Sequence, residues 1–247
     1  MDKDEQLLLD ICKCPNVKLA MQDKNHPCHS VVSVQNNSNE FQVPEPWTGN
    51  LDHSKLLIIA SNPSIDESEA YPTNDWEDAW IVDFFKNRFD EDYGWTQKGL
   101  HVLQKDRINF AERHVPYWAE VRKQASRIYG RDAVAGIDYT LTEVVHCKSR
   151  KRKGVKSAAE TCSEKWLDRI LRISSARVLL ILGEDAGGLM QKSLHLNCKI
   201  ISHGIRVISG KRMWVLFVPA PGSSKARNIL DILDSRTLSE LNRWINS

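Results

Sequence analysis

The sequence has no long hydrophobic run. None approaches the roughly 18 consecutive apolar residues that cross a membrane, so a membrane-spanning protein is not expected. The opening residues, Met-Asp-Lys-Asp-Glu, lack the basic and then apolar character of a secretion signal. We therefore expect a cytoplasmic protein without a membrane partner. No internal repeat and no low-complexity segment is present, and the formal net charge of +2 favours no class of partner.

What is present suffices for one α/β domain. The chain has 247 residues, of which 41% are hydrophobic and 27% are charged, and this favours one domain over two small ones. No domain boundary stands out. We predict a single domain over residues 1–247, with an N-terminal helix and loop over residues 1–50. No feature implies a protein partner, and a monomer is expected.

Apolar runs and helical periodicity alternate along the chain. Strands are predicted at 56–60, 139–146, 178–182, 199–208 and 213–218, with a short one at 30–34. Helices are predicted at 5–20 (interrupted at the Cys-Lys-Cys-Pro sequence 12–15), 76–89, 118–129, 162–173, 183–190 and 237–245. This alternation predicts an α/β fold with a central, mostly parallel sheet of four to five strands, flanked by helices on both faces.

Two predicted strands end in small, proline-bearing loops. Residues 56–60 run into the loop 61–64 (Ser-Asn-Pro-Ser), and residues 214–218 run into the loop 219–225 (Pro-Ala-Pro-Gly-Ser-Ser-Lys). In open α/β sheets, ligands bind in the crevice beyond the carboxyl ends of the strands. The two loops are therefore expected to form one site.

The six cysteines are interpreted first as metal ligands or buried thiols, because disulfides are rare in the cytoplasm. Cys147 and Cys162 are separated by fourteen residues, and Cys12 and Cys14 lie in the Cys-Lys-Cys-Pro sequence. One interpretation is a zinc site, and another is buried thiols without a metal. The candidate zinc ligands are Cys12, Cys14, His26, Cys28 and His29.

Four short motifs occur in order along the chain. They are Ala-Ser-Asn-Pro-Ser at 60–64, Glu-Val-Val-His-Cys at 143–147, Leu-Gly-Glu-Asp-Ala at 182–186 and Ala-Pro-Gly-Ser at 220–223. In this order and at these intervals they resemble the uracil-DNA glycosylase superfamily, nearest its iron–sulfur branch. The resemblance covers the chain from Cys12 to the last helix. Two positions depart from the family pattern: Glu143 stands where the branch has Asn, and Ala220 stands where relatives have His or Asn.

The resemblance implies a [4Fe–4S] cluster that fastens the N-terminal helix to the sheet. The expected ligands are Cys12, Cys14, Cys147 and Cys162. The branch has Cys-x-x-Cys-Pro where this chain has the shorter Cys-Lys-Cys-Pro, so Cys28 is an alternative to Cys12. Zinc and no metal are the other interpretations of these thiols.

The resemblance also implies a monofunctional DNA glycosylase, which flips a base out of DNA and hydrolyses its N-glycosidic bond. Asn62 is expected to orient the attacking water, with Ser61 and Asp66 as further catalytic candidates. A turn Asn that caps its own loop is the alternative for Asn62. The leaving base needs a hydrogen-bond donor. With Ala220 in the second loop, backbone N–H groups or His203 are the candidates, unless the leaving group itself differs.

The base itself is expected to contact Glu143, Tyr71, Ala220 and His203. Tyr71 follows the first loop, where relatives stack an aromatic ring on the base; core packing is the alternative. An ionised Glu143 only accepts hydrogen bonds, which suits the exocyclic amine of cytosine. A protonated Glu143 also donates, which suits the O4 of uracil.

The nature of Glu143 leads to a hypothesis about the substrate. Excision of ordinary cytosine would destroy the host genome, so a cytosine substrate has to carry a mark. Bacteriophage DNA supplies hydroxymethylated and glucosylated cytosine, and the expected role is then antiviral defence. A uracil-DNA repair glycosylase is the alternative. A non-catalytic DNA-binding protein with this fold is the second alternative, and Ala220 is the residue that favours it.

Two segments are expected to bind DNA. The first is the basic run 148–156, for which a solvated surface is the alternative. Its named cations are Lys148, Arg150, Lys151, Arg152 and Lys153. In the second segment, small residues let backbone N–H groups approach phosphates and cations add charge; a plain turn is the alternative. Its residues are Ser223, Ser224, Lys225 and Arg227.

Overall fold

A computed structural model describes residues 2–35, 40–193, 203–219 and 229–247. The strands are β1 (Trp47–Thr48), β2 (Leu56–Ala60), β3 (Thr96–Gln97), β4 (His101–Val102), β5 (Tyr139–Glu143), β6 (Val178–Leu182), β7 (His203–Ile208) and β8 (Lys211–Val218). Strands β3 and β4 pair with each other, and the remaining six form the main sheet.

The main sheet has the strand order β1-β5-β2-β6-β8-β7. Its four central strands run parallel, and the edge strands β1 and β7 are antiparallel to their neighbours. The α/β prediction is confirmed, but the sheet is mixed and six-stranded instead of four- to five-stranded. The sequence did not indicate β1, because a two-residue strand has no periodicity and only its pairing with β5 defines it.

The helices are α1 (Lys3–Cys12), α2 (Pro15–Gln22), α3 (His29–Val32), α4 (Asp78–Asn87), α5 (Pro116–Tyr129), α6 (Val155–Ile173), α7 (Glu184–Ser193), α8 (Ile229–Ile232) and α9 (Ser235–Asn246). Short 3-10 turns cover Ser33–Gln35 and Glu91–Tyr93. Within the described ranges, none of these helices combines the length and the apolar character that a membrane crossing requires.

Helices cover both faces of the main sheet. Leu57 and Ile59 of β2 lie in one core with α1, α4, α6 and α7, whereas Leu56 and Ile58 lie in a second core with α5, α8 and α9. All five residues of β2 are buried. A strand covered on both faces is apolar throughout, which is why β2 was readable from the sequence. Each buried Leu or Ile side chain contributes about 1.5–3 kcal/mol.

Three predictions away from the central strands had different outcomes. The predicted break in the N-terminal helix is confirmed: α1 ends at Cys12 and α2 begins at Pro15, because proline suits the first position of a helix. The short strand predicted over 30–34 is wrong, since these residues form α3 and the 3-10 turn that follows. The strand predicted over 199–208 is found over 203–208, and residues 199–202 lie outside the described residues.

The order of the strands reverses beside β2. From β2 the chain runs to β5 on one side and then returns past β2 to β6 on the other. In open α/β sheets, such a reversal of strand order marks the place where ligands bind, at the carboxyl ends of the strands. The loop 61–64 leaves β2 at this place.

Gly154 marks a close contact between the start of α6 and the N-terminal segment. Its φ is +76°, and a Cβ atom there would lie 2.2 Å from the backbone N of Val31 and 2.4 Å from the backbone C of Ser30. Gly94 has a similar φ of +70°, but a Cβ there meets no described atom within 4 Å. The two glycines therefore separate the cost of the left-handed backbone from the cost of a clash.

We expect Gly154→Ala to lower the free energy of unfolding by more than Gly94→Ala. The left-handed conformation costs an alanine about 1–2 kcal/mol at either position, and overpacking at Gly154 adds roughly 1–3 kcal/mol. Urea denaturation of both variants measures the difference. Equal losses would contradict the close packing of α6 on α3.

Candidate functional site

The loop after β2 is held against the segment after β5. The N–H groups of Val144 and Val145 donate to the carbonyl oxygens of Ala60 and Ser61 at 2.9 and 3.0 Å. Farther along, the N–H of Ser149 donates to the carbonyl of Pro63 at 3.0 Å. The parallel ladder thus continues beyond both strands. It brings two predicted site segments, 61–64 and 143–149, together at the carboxyl edge of the sheet.

Asn62 lies half-buried in this paired structure. Its Nδ2 donates to the carbonyl of Pro63 at 2.9 Å, and its Oδ1 accepts from the Ser61 hydroxyl at 3.2 Å. The amide is therefore oriented by its own loop, with Ser61 as its partner. An amide oxygen has two lone pairs, so Oδ1 retains the capacity to accept a second hydrogen bond, for example from a water.

Asp66 has a different environment from the one expected of a catalytic group. Its Oδ1 accepts from the Ser68 N–H at 2.9 Å and from the Ser68 hydroxyl at 2.7 Å, which is a typical side-chain turn. Its backbone carbonyl accepts from Gln42 Nε2 at 2.6 Å. The exposed carboxylate shapes the segment that follows the first loop, and the structure gives it no bond to Asn62.

Behind the two loops lies a group of ionisable side chains that we call the buried charge cluster. It consists of Glu45, Glu69, Tyr71, Arg88 and Lys148, and all five are buried. Arg88 pairs with Glu69 through a short Nη2–Oε1 contact and lies 3.5 Å from Glu45 Oε2. Lys148 Nζ lies 3.8 Å from Glu69 Oε2. Two carboxylates therefore face two cations, which reduces the desolvation cost of burying them.

The structure corrects the prediction for Lys148. Its side chain is 2% exposed and lies in the buried charge cluster, so it is not available at the surface. Burial lowers its pKa, and the carboxylates of Glu69 and Glu45 oppose that shift. In the sequence Lys148 is the first cation of a basic run, and nothing there distinguishes it from its exposed neighbours.

Tyr71 is also placed differently from its predicted role as a stacking residue. The Lys148 ammonium lies 3.4 Å from the centroid of the Tyr71 ring, so it covers one ring face. The Tyr71 hydroxyl donates to Glu45 Oε2 at 3.1 Å, and Phe84 and Phe85 pack against the ring edge-on. In the described conformation the ring face that Lys148 covers is not open to a base.

Glu143 ends β5 beside Ala60, its register partner in β2. The residue is 6% exposed, and its Oε2 has no hydrogen-bond partner among the described residues. Burial raises the pKa of Glu143 well above its usual value, the neighbouring Glu45 raises it further, and Lys148 opposes the shift. Burial and Glu45 therefore both favour the neutral form of the Glu143 carboxyl group.

Two residues that the sequence analysis did not select, Glu45 and His146, complete this region. Nδ1 of His146 lies 2.7 Å from the Glu45 carbonyl oxygen and donates to it. Burial lowers the pKa of His146 to about 4, so the ring is neutral. The sequence carries no signal for Glu45, because a carboxylate in a polar, proline-bearing segment is usually exposed.

His203 does not join the site. It begins β7, an exposed edge strand, and pairs in register with Leu216. Strands β7 and β5 are four spacings apart in the sheet order, or about 19 Å at 4.8 Å per spacing. This separates His203 from Glu143, so the prediction that both contact one base is not supported by the fold. The second-loop residues Ala220, Ser223, Ser224, Lys225 and Arg227 lie outside the described residues.

The rest of the basic run lies at the surface next to the first loop. Ser149 forms a bridge with Ser64, and the four cations that follow it are exposed. Arg150 pairs closely with Glu67, and Arg152 pairs closely with Asp185. The positions of Lys151 and Lys153 are compatible with contact to a phosphate backbone, which remains a prediction.

Four thiols share one neighbourhood beneath this surface. Cys14 and Cys28 precede α2 and α3, which pack together, and α3 packs on α6, which carries Cys162. The His146 N–H donates to the Cys162 sulfur at 3.5 Å. Burial raises the pKa of Cys147 well above its usual value, and Cys162, Cys14 and Cys28 raise it further.

Cys12 is buried in the same core as Cys28, Cys147 and Cys162. Burial raises its pKa, and the other groups that act on it are Glu45, Lys13 and Asp78 instead of cysteines. The five described cysteines are free thiols. Within the described ranges, no three side chains converge tightly enough to hold a single metal ion. A four-iron cluster is larger than one ion and keeps its four thiolates farther apart.

Two clefts lie away from this site. One, of about 330 Å³, is at the amino end of the sheet, between Asn50, Phe89, Arg122 and Gly136. The other, of about 450 Å³, lies between α1 and α6. Neither is lined by Asn62 or Glu143, so the chemically distinctive groups and these clefts do not coincide.

No protein-family model matches the chain, and no curated protein matches it.

The protonation of Glu143 predicts how stability depends on pH. Since its pKa is raised in the folded state, this group stabilises the fold fully below the unfolded pKa of about 4.3 and loses about 1.4 kcal/mol per pH unit above it. Glu143→Gln lacks this loss. We expect the stability of Glu143→Gln relative to the wild type to increase between about pH 5 and pH 7 in urea denaturation.

The exposed Glu91 provides the matched control for this measurement, because Glu91→Gln removes a surface carboxyl group and leaves the buried one in place. A constant difference for Glu143→Gln would mean that Glu143 is already ionised at pH 5.

Proposed function

We propose that the protein is a DNA glycosylase that flips a base and hydrolyses its N-glycosidic bond, leaving an abasic site. The observation that carries this proposal is the pairing of the Asn62 loop with the end of β5. It brings an oriented amide close to a buried acid that has an unpartnered oxygen. The four central parallel strands and the helices on both faces are compatible with a uracil-DNA glycosylase-like fold.

The proposed mechanism uses each group for one task. The flipped nucleotide enters the crevice at the carboxyl edge, and Asn62 Oδ1 accepts a hydrogen bond from the attacking water and aims it at C1′. Glu143 holds the edge of the base. Exposed cations after Ser149 contact the backbone of the DNA, a sequence-independent contribution to affinity. Movement of Lys148 away from Tyr71 is required if this ring is to stack on the base.

The raised pKa of Glu143 favours its neutral form, and the neutral form offers the base both a donor and an acceptor. A carboxylic acid accepts through its carbonyl oxygen and donates through its hydroxyl. It therefore matches the N4 amine and N3 of cytosine, and it also matches the O4 and N3–H of uracil. We propose a modified cytosine, hydroxymethylated or glucosylated as in phage DNA, because a marked base can be removed without attacking the host genome. Antiviral defence is the proposed role.

Two other functions are supported by specific observations. A uracil-DNA repair glycosylase is favoured by the donor capacity of the neutral Glu143. A non-catalytic DNA-binding protein is favoured by Ala220 in the second loop and by the Lys148 ammonium that covers the Tyr71 ring.

We also propose that a [4Fe–4S] cluster binds in this protein. The four thiols that share one neighbourhood fit its donor set, so the proposed ligands are Cys14, Cys28, Cys147 and Cys162, with Cys28 in place of Cys12. When bound, the cluster fastens the N-terminal helices to the segment after β5. Single-ion zinc binding and no metal remain the alternatives.

The ligand set predicts different effects for two buried cysteines. After anaerobic purification, the wild type and Cys12→Ser should both contain iron and absorb broadly near about 400 nm, as thiolate-ligated clusters do. Cys28→Ser should lose both signals, because a ligand is removed. Iron analysis and absorption spectra measure this. If Cys12→Ser loses its iron and Cys28→Ser keeps it, the ligands are Cys12, Cys14, Cys147 and Cys162 instead. An iron-free wild type would contradict the cluster.

The proposed activity is tested by base release from a panel of duplexes. We expect mass spectrometry to detect 5-hydroxymethylcytosine or its glucosylated forms. Asn62→Ala should slow release by roughly 10² or more while DNA affinity is retained, because only the water loses its orientation. Asn246→Ala, on the exposed end of α9, is the matched control.

Three outcomes of this panel decide between the proposed functions. Release of uracil alone would favour the repair enzyme. DNA binding without release of any base would favour the binding protein. Equal losses of binding and rate in Asn62→Ala would make Asn62 a structural turn residue.

A further inference from the structure

Glu143 is the one acidic residue in the described ranges with a buried carboxyl oxygen that lacks a hydrogen-bond partner. Its Oε2 has no hydrogen-bond partner among the described residues although the residue is buried. A buried polar atom without a partner costs about 1–3 kcal/mol, so a bound molecule that pairs with it recovers this cost. The unpartnered oxygen lies at the end of β5, beside the loop that carries Asn62.

A glycosylase has to stabilise the negative charge that develops on the base as it leaves. Cleavage of the C1′–N1 bond places the bonding electron pair on the pyrimidine ring, and a group that donates a proton to the ring stabilises this charge. The resemblance assigns the donor to a second-loop side chain, and Ala220 has no polar side chain to supply it. Backbone N–H groups or the carboxyl group of Glu143 can take this role instead.

We propose that Glu143 is the general acid of this reaction and that it transfers its proton to N3 of a flipped base of the cytosine type. The proposal rests on the proposed glycosylase function and names the substrate class of the same site. Only a ring whose N3 carries a lone pair can take this proton. A uracil ring carries N3–H instead, so the proposed step selects 4-aminopyrimidines.

The proposed step balances in atoms and electrons. Before reaction, the Glu143 carbonyl oxygen accepts from the N4 amine and its hydroxyl donates to N3. The water oxygen forms a bond to C1′ while the C1′–N1 bond breaks. The electron pair of the broken C1′–N1 bond passes to the base. The Glu143 proton moves to N3, so the base departs neutral. The proton lost by the attacking water goes to solvent, and Glu143 takes up a proton from solvent for the next cycle.

The groups around Glu143 suit both halves of this cycle. Glu45 raises the pKa of Glu143 in addition to burial, which keeps the acid protonated before transfer. Lys148 acts in the opposite direction and stabilises the carboxylate that remains after transfer. Tyr117 is the third titratable group near Glu143, and its own pKa is raised by burial and by Glu143, so it stays neutral. The pKa of Glu143 is therefore raised by one neighbouring carboxylate and lowered by one ammonium group.

Glu143→Gln separates acid catalysis from base recognition. The amide offers the same pattern of one acceptor and one donor to N4 and N3, but it has no proton to give. In single-turnover release of 5-hydroxymethylcytosine from duplex DNA, we expect a rate loss of roughly 10²–10⁴ with unchanged DNA affinity. The wild-type rate should fall tenfold per pH unit above the pKa of Glu143, and the residual rate of Glu143→Gln should not.

Glu143→Asp and Glu91→Gln complete the experiment. Glu143→Asp still carries a proton to donate, so it should retain part of the rate, and its rate should also fall with rising pH. The exposed Glu91→Gln should release the base at the wild-type rate. Wild-type release at full speed by Glu143→Gln, or a wild-type rate that is constant or rises with pH, would overturn the proposal. If no DNA yields a released base with the wild type, the glycosylase function itself fails, and this outcome is distinct from the others.

Discussion

Charge compensation inside the buried charge cluster holds together the region behind the two loops. Its charged members are Arg88, Lys148, Glu45 and Glu69. These residues come from four distant parts of the chain and meet where water is excluded. Removing one member of a buried ion pair leaves an uncompensated charge, which costs about 3–5 kcal/mol. The cluster therefore holds the segments around 45, 69, 88 and 148 in a single arrangement.

The balance of two carboxylates and two cations also affects the pKa of Glu143. Two carboxylates already face two cations, so a third negative charge has no cation of its own. Burial and Glu45 both raise the pKa of Glu143, and burial lowers the pKa of His146 to about 4. Groups with perturbed pKa values are characteristic of functional sites. The chemistry proposed for this protein follows from that electrostatic arrangement.

Packing connects this region to the N-terminal segment. The absence of a side chain at Gly154 lets α6 begin against the backbone of α3, and this contact brings Cys28 into the neighbourhood of Cys147 and Cys162. Cys12 ends α1, and the charged groups that shift its pKa are Glu45, Lys13 and Asp78. The packing of these helices thus determines which thiols lie near Cys147.

The sequence by itself determined the central strands, the α/β class and most of the longer helices, because strands buried on both faces are continuously apolar and helices repeat every 3.6 residues. It also indicated Asn62 and Glu143 as residues at strand ends. Only the tertiary structure decided that Lys148 is buried, that Glu45 approaches Tyr71, and that His203 lies on the far edge of the sheet. Local patterns report the burial of apolar residues, whereas the burial of a charge depends on partners that are distant in the chain. Sequence order also does not specify the order of strands in a sheet.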